Sequence, residues 1–481
     1  MGLLLGLDLG TTGCKAVVCN DKLDIAGESY LEYELINKSA TEIEQDADEW
    51  WELAKKAVIL AVSSAGADIK DIRSVSISSQ GIAFVPVDEN CMPLSNAISW
   101  LDTRASAEAD EILERFDRET VFKITGKRIS AAYTLPKLIW FKKNMPEIYD
   151  KTHKFLMPHD FMIAKLSGRF VTDRTMASGT LAFDIIRSRW WEEILDEFGI
   201  DKDKLPEVIK SGTAIGRISP KAAAETGLSK DLLVCTGGQD QKCAALGAGI
   251  DENSITVSLG TATAIEKLLD SPKTAMGMKV PVFSYLFDDS WIAEGVIGTS
   301  GLSLKWFRNL FCENISYKKI DEMIENDTTG SAGVLFYPYL GGSASPYWYA
   351  NSTGCFHGMD MTTSSADLAR SVLEGIAFNI RSNIAAMGGH SEELRVFGGG
   401  ASSDIWCRII SDITNTRVQT LKNRETACIG ACILAGLGAG LMTDAHDRIK
   451  TGKIYHPDKK NIQMYDEKFE KYVMIQKKIM S

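Results

Sequence analysis

Three stretches of this 481-residue sequence combine residue types and spacings that suit phosphate chemistry. The first is GLDLGTTGCKAVV, an apolar run that carries one carboxylate, Asp8, turns through Gly10-Thr11-Thr12 and resumes as a β-prone run. A carboxylate inside a strand is costly unless something binds it. Glycine admits a ligand close to the backbone, and the amides and threonine hydroxyls that follow suit phosphate oxygens. The same grammar returns half a chain later in SITVSLGTATAIEKL, with Gly260 and Thr261 at the bend and Ser258 where the first copy has Asp8. One such bend is also readable as a plain structural turn. Two with matched flanks point to paired hairpins, one per half, facing each other across a cleft. Asp8 would then hold Mg²⁺ against the phosphates of ATP, through water. Neither bend is a Walker loop or a dinucleotide fingerprint, because no Gly-Lys-Ser/Thr follows and each turn feeds a strand.

The second stretch, RVFGGGASSDIW, ends a β-run in Gly398-Gly399-Gly400 and starts a helix near Ser403. Bare backbone there suits a planar adenine, although a tight strand-to-helix turn reads the same way. The third, VCTGGQDQKCAALGAG, places Asp240 at a strand mouth beside a helix N-terminus whose dipole favours the ionised form. Asp240 reads either as a helix N-cap or as the base that takes a proton from an attacking hydroxyl.

The elements that must position these groups alternate, as in an α/β protein. The pattern predicts strands over 3–9, 16–19, 74–78, 84–87, 255–259, 262–267 and 394–397. Helices are predicted over 46–64 and over 365–387, the latter with Leu368, Val372, Ile376, Ile380 and Ile384 on one stripe. A further helix is predicted from Tyr465, docking through Phe469, Tyr472, Ile475 and Ile479. The expected division is an N-terminal domain over 1–250, a C-terminal domain over 254–442 and a tail over 443–481. Paired hairpins on two such domains fit an actin-like ATPase core.

Bulk properties agree with a soluble enzyme. Hydrophobic residues make up 45% and charged residues 24%, and 64 acidic against 53 basic residues give a net charge of −11, which argues against nucleic acid as a partner. The ten cysteines have no Cys-x-x-Cys pair, so zinc is not expected, and Cys428 and Cys432 read as helix packing. Free thiols suggest a reducing cytoplasm. MGLLLGL reads as a first strand, not a signal peptide, and no run is long enough to span a membrane.

The chain is identified as a member of the FGGY carbohydrate kinases by motifs over nearly its whole length. YTLPKLIWFKKN (133–144) resembles the first family signature, GCFHGMDMTTSSADLARSVLE (354–374) the second, and ETACIGACILAGLGAG (425–440) the small-residue helix beneath the nucleotide. The resemblance implies two actin-like (ribonuclease-H-like) domains around a cleft. It implies phosphoryl transfer from ATP with Mg²⁺ to a primary hydroxyl of a small sugar or polyol, with Asp240 as base. Asp8, Thr11, Thr12 and Lys15 fall in the first phosphate motif, Gly260 and Thr261 in the second, Gly399, Gly400 and Ser403 in the adenosine motif, and Gly301 on the nucleotide-side wall. Lys15 also reads as a solvated lysine.

ISWLDTRA supplies Trp100, Asp102 and Arg104 where the family lines its sugar pocket. Asp102 and Arg104 also read as a surface pair. Gln80 and Gln241 are the other polar candidates, and His159 reads as packing. MASGTLAFDIIRSRWW resembles a xylulose-kinase segment, which makes a ketopentose such as xylulose the expected acceptor. Gln80 is followed by Gly81-Ile82-Ala83, not by the Met-His-Gly usual in xylulose kinases or the Arg-Glu usual in glycerol kinases. Ser343-Ala344 likewise stands where Glu-Arg is frequent. Ribulose, erythritol, gluconate, glycerol and a dihydroxypentanedione signal stay open as acceptors, as does an actin-like ATP switch without transfer. A homodimer is implied at family level only.

Overall fold

The computed structural model describes residues 2–272, 277–325, 333–349, 351–389 and 391–480. Each half of the chain builds a seven-stranded sheet. The first sheet runs Ile25–Glu32, Gly13–Cys19, Leu3–Leu9, Ile72–Ser79, Leu233–Cys235, Ala214–Arg217, with the short Gly238–Gln239 also on Ile72–Ser79. The second runs Val282–Ser284, Trp291–Ile297, Thr263–Leu269, Ser254–Leu259, Glu393–Phe397, Arg417–Leu421, Thr451–Tyr455. Both sheets have one plan. A central strand forms an antiparallel hairpin with the next strand, which pairs with a third. On its other side lie two parallel strands and an antiparallel edge.

The central strand of the first sheet is covered on both faces, which is why Leu3–Leu9 reads as a nearly unbroken apolar run. Leu5, Leu7 and Leu9 pack in one core with Trp50, Ala54 and Val58 of helix Ala47–Ala65. Asp46 caps that helix, its carboxylate accepting from the amides of Asp48 and Glu49, an arrangement worth about 1 kcal/mol. Leu4 lies on the opposite face and packs with Cys428, Ile429 and Cys432 of helix Thr426–Gly438, which comes from the C-terminal half. Gly6 permits this approach: a Cβ there would lie 2.2 Å from the Cys428 carbonyl oxygen. Cys428 and Cys432 are thus packing residues, and all ten cysteines are free.

The same helix lies against helix Asp240–Gly247, and here too the backbones nearly touch. A Cβ on Gly247 would meet the Thr426 carbonyl oxygen at 1.9 Å, and one on Gly430 the Cys243 carbonyl oxygen at 1.9 Å. The helix that begins at Asp240 is therefore located by a contact between the halves.

In the second half, helix Ser365–Ala386 starts with a reciprocal cap between Ser364 and Asp367 and buries Val372, Ile376 and Ile380, while Leu368 and Ile384 are only partly buried. The last helix spans Lys459–Ile479 and begins before Tyr465, because Asp458 caps it. Tyr465, Tyr472 and Ile475 enter the second core and Phe469 packs on it, whereas Ile479 is exposed. A third core, with Phe84, Leu135, Phe141 and Trp191, belongs to a helical insertion after Ile72–Ser79. Val85–Val87 pairs there with Lys154–Leu156 and not with the central sheet.

Candidate active site

Both hairpins open on one cavity of about 360 Å³. Thr11, Gln80, Trp100, Asp240 and Gln241 line it from the first half, and Ser258, Thr263, Phe283 and Glu294 from the second. Its size lies within the range of small-molecule sites.

Asp240 is the first residue of helix Asp240–Gly247 and does not cap it. Gln239 does, accepting from the amides of Gln241 (3.1 Å) and Lys242 (3.4 Å). The Gln239 side-chain amide also donates to Asp240 Oδ1, which accepts the Gln241 amide as well, at 2.7 Å. Oδ2 takes no hydrogen bond from the described residues, so one oxygen of the carboxylate is free for a ligand. The turn before it is tied down: His159, fully buried, accepts the Gly237 amide at 2.9 Å, and Thr175 accepts that of Gln239 at 2.8 Å. The expectation that a helix dipole keeps Asp240 ionised is corrected. Burial, and then the charge of Asp8, outweigh the Gln241 amide and push it up to about 7.

Gln80 donates to Gln45 Oε1 at 3.1 Å, while its own Oε1 is buried without a partner among the described residues. Such an orphan on a cavity wall is a ready acceptor for a ligand hydroxyl. Trp100 donates to Thr11 Oγ1 at 2.9 Å, and Gln45 to the Thr11 carbonyl at 2.8 Å, so the bend is braced from two sides. Thr12 is exposed and does not line the cavity.

Asp8 sits on the central strand beside Ser78, whose hydroxyl donates to Oδ1 at 2.7 Å. Burial raises its pKa, against the Ser78 bond and Lys15. No group of three or more potential metal ligands exists among the described residues. A divalent cation here would have one carboxylate and would keep most of its waters, a mode that suits Mg²⁺. Lys15 is not turned to either cavity. It pairs with Glu425 at 2.5 Å, which joins the halves and corrects its expected place on the phosphates. Burial alone would lower its pKa, but Glu425 and then Asp8 raise it.

Asp102 and Arg104 also move out of the expected set. Asp102 is fully buried and accepts from the Ile43 amide at 2.7 Å, from the Arg104 amide at 3.0 Å and from the Arg104 guanidinium. Arg104 bridges onward to Glu44 at 3.0 Å, lies over Trp140 and lines a separate cavity. With its acceptors used, this pair braces the insertion, and of the three residues only Trp100 lines the cavity.

The second cavity, about 790 Å³, gathers Gly260, Thr261, Gly301, Gly399, Gly400 and Ser403, together with Lys305, Tyr317, Lys318 and Trp406. A Cβ on Gly399 would meet nothing within 4 Å, so this wall is bare backbone facing open space, as a flat base requires. Ser403 is committed elsewhere: it caps helix Asp404–Thr414 and donates to Asp321 at 3.0 Å. The residues present fit a nucleotide.

Sequence reasoning passed over Gln45, Gln239, Glu294 and Lys305. Glu294 carried a usable signal, a charge inside the apolar strand Trp291–Ile297, the same irregularity that drew attention to Asp8. Lys305 stands four residues after Gly301 on helix Gly301–Phe311, hence on the same side.

Residues 3–247 match the N-terminal domain model of the FGGY family of carbohydrate kinases, and residues 255–439 the C-terminal domain model. The chain is 33% identical over 480 residues to the xylulose kinase of Bacillus subtilis, covering 98% of this chain and 96% of that one. It is 30% identical over 462 residues to the gluconokinase of Bacillus licheniformis, covering 92% and 89%. The crystal structure of ligand-bound xylulose kinase from Lactobacillus acidophilus superposes with a TM-score of 0.94 at 24% identity, over 100% of this chain and 99% of that one. The fold is the actin-like, ribonuclease-H-like ATPase fold in two lobes.

Proposed function

This chain belongs to the FGGY family of carbohydrate kinases, and from that premise we propose that it phosphorylates a primary hydroxyl of a ketopentose such as xylulose, with ATP and Mg²⁺. The supporting observation is one juxtaposition: Asp240, with Oδ2 uncommitted, shares a cavity with both glycine–threonine hairpins and with the unpartnered Oε1 of Gln80.

In this reading Asp240 accepts the proton of the attacking hydroxyl, a role for which a pKa near neutrality is well matched. Gln80 and Gln241 orient the sugar by hydrogen bonds, and Trp100 packs against it. Thr11 and Thr261, at the tips of the two hairpins, face the phosphates from opposite lobes. Asp8 is the carboxylate that would hold Mg²⁺ there. Bound MgATP supplies the phosphoryl group and the positive charge that offsets charge on its oxygens during transfer. The nucleoside lies against Gly399 and Gly400. Closure of the lobes excludes water that would otherwise hydrolyse ATP. Ten free cysteines support a reducing cytoplasm as its location, and among the described residues no helix is long and apolar enough to cross a membrane. The chain forms a homodimer in this reading, and a monomer in sedimentation velocity would exclude it.

Gluconate is the second reading, favoured by the gluconokinase relative. A coupled ADP-release assay across ketopentoses, polyols and aldonates tests both. Xylulose should raise ADP release at least about tenfold over the sugar-free rate. A flat response across the panel would remove the proposal.

A further inference from the structure

A buried charge cluster forms one wall of the acceptor cavity, and the transfer chemistry does not use it. Glu266 and Glu294 stand directly opposite each other in the antiparallel pair Thr263–Leu269 and Trp291–Ile297, a position where two like charges are unfavourable. Lys242, from the helix that begins at Asp240, resolves the clash. Its Nζ lies 3.0 Å from Glu266 Oε1 and donates to Glu294 Oε2 as well. Lys242 has no exposed surface, Glu266 almost none, and Glu294 reaches the cavity with 13% of its side chain exposed. Lys127 completes the cluster, with its Nζ 3.4 Å from the centre of the Phe283 ring.

The charge is unevenly shared. Burial pushes the Glu266 carboxyl well up from the ordinary range. Burial opposes charge on Glu294 too, but Lys242, with smaller help from Glu266 and Lys127, brings it below the ordinary range. Of the two, Glu294 is the one whose ionised form is favoured, and it is also the one that touches the cavity. Among the described residues of that cavity there are two carboxylates, Asp240 and Glu294, and no Lys, Arg or His. Lys242 lies wholly behind Glu294 and offers a ligand no accessible donor.

We propose that Glu294 is a specificity-determining residue: its carboxylate accepts a hydrogen bond from an acceptor hydroxyl and, with no cation on the cavity wall, rejects acceptors that carry a carboxylate. The chain therefore takes neutral ketoses or polyols and excludes sugar acids. This rests on the kinase reading above and narrows it. Discrimination by an installed repulsion is a common route to specificity, and the burial of Glu294, 13% exposed, limits the screening of its charge.

The test uses the full chain. Wild type should show a kcat/KM for xylulose at least about 100-fold above that for gluconate, and xylitol should inhibit at least about tenfold more tightly than xylonate. Glu294→Gln should narrow the xylulose-to-gluconate ratio by at least about tenfold. That variant leaves Lys242 its partner Glu266, and the inhibitor comparison on wild type needs no variant at all. If wild type turns over gluconate in preference to every neutral acceptor, both this inference and the ketopentose reading fall. An unchanged ratio in Glu294→Gln, or xylonate inhibiting as tightly as xylitol, overturns this inference alone.

Discussion

Replacing Gly430 with alanine should cripple turnover without touching any residue that lines either cavity. An added Cβ would sit 1.9 Å from the Cys243 carbonyl oxygen and 2.6 Å from its carbon, where ordinary contact begins at 3.4 Å. The contact is with backbone, so no side chain can swing aside, and the two helices must separate by about 1.5 Å, the difference between those distances. Cys243 lies three residues after Asp240 on the same helix. A misplacement of about 1 Å at a reacting group costs about 10²-fold, so kcat should fall about that much or more. Local propensity works the other way, since alanine in a helix is better than glycine by about 1 kcal/mol. Any loss therefore reports packing, where overfilling costs about 1–3 kcal/mol. Steady-state ADP release gives kcat, and calorimetric titration with ATP gives the nucleotide affinity, which should stay within about threefold. Turnover within about threefold of wild type would refute the claim that this interlobe contact locates Asp240.

Two further outcomes follow from the same geometry. Gly399→Val puts a side chain into the open cavity proposed for the nucleotide, where no described residue other than its chain neighbours stands within 4 Å; the KM for ATP should rise at least about tenfold with unchanged thermal stability, and an unaltered KM would place the nucleoside elsewhere. Because Asp240 works ionised and burial with Asp8 pushes it up to about 7, kcat/KM for the sugar should be lost as pH falls through that region and reach a plateau above it; a profile that stays flat down to about pH 5.5 would exclude it as the base.

What the sequence revealed were places where a local rule is broken. A charge inside the strand Leu3–Leu9 and glycine at two matched bends are visible without knowing any neighbour, and the limits of that strand follow from its apolar run. Strand Gly13–Cys19 begins before its apolar run because Cys14 and Lys15 are paired on both sides, with Leu9 and Asp8 on one edge and Leu31 and Tyr30 on the other, and Gly13 is paired with Glu32. Lys15 looked like a phosphate ligand because its partner, Glu425, is 410 residues away. Asp102 and Arg104 were visible as a pair, but Glu44, Ile43 and Trp140, which turn them away from the cavity, come from distant segments. Gln45 gave no local sign, since its role is to join Gln80 and Thr11 across three strands' ends. Glu294 and Glu266 did break the rule that exposed Asp8, and their meaning needed the register that sets them opposite each other and the helix that brings Lys242 between them.

The most direct measurement is Asp240→Asn, assayed for sugar phosphorylation and ATP binding on one preparation. Removing the proton acceptor while keeping the shape should lower kcat by about 10²–10⁴-fold, with the ATP dissociation constant within about threefold of wild type, because the second cavity, proposed for the nucleoside and lined by Leu259, Gly260, Thr261, Gly399 and Gly400, does not include it. Near-normal phosphorylation by this variant would contradict the account at its centre.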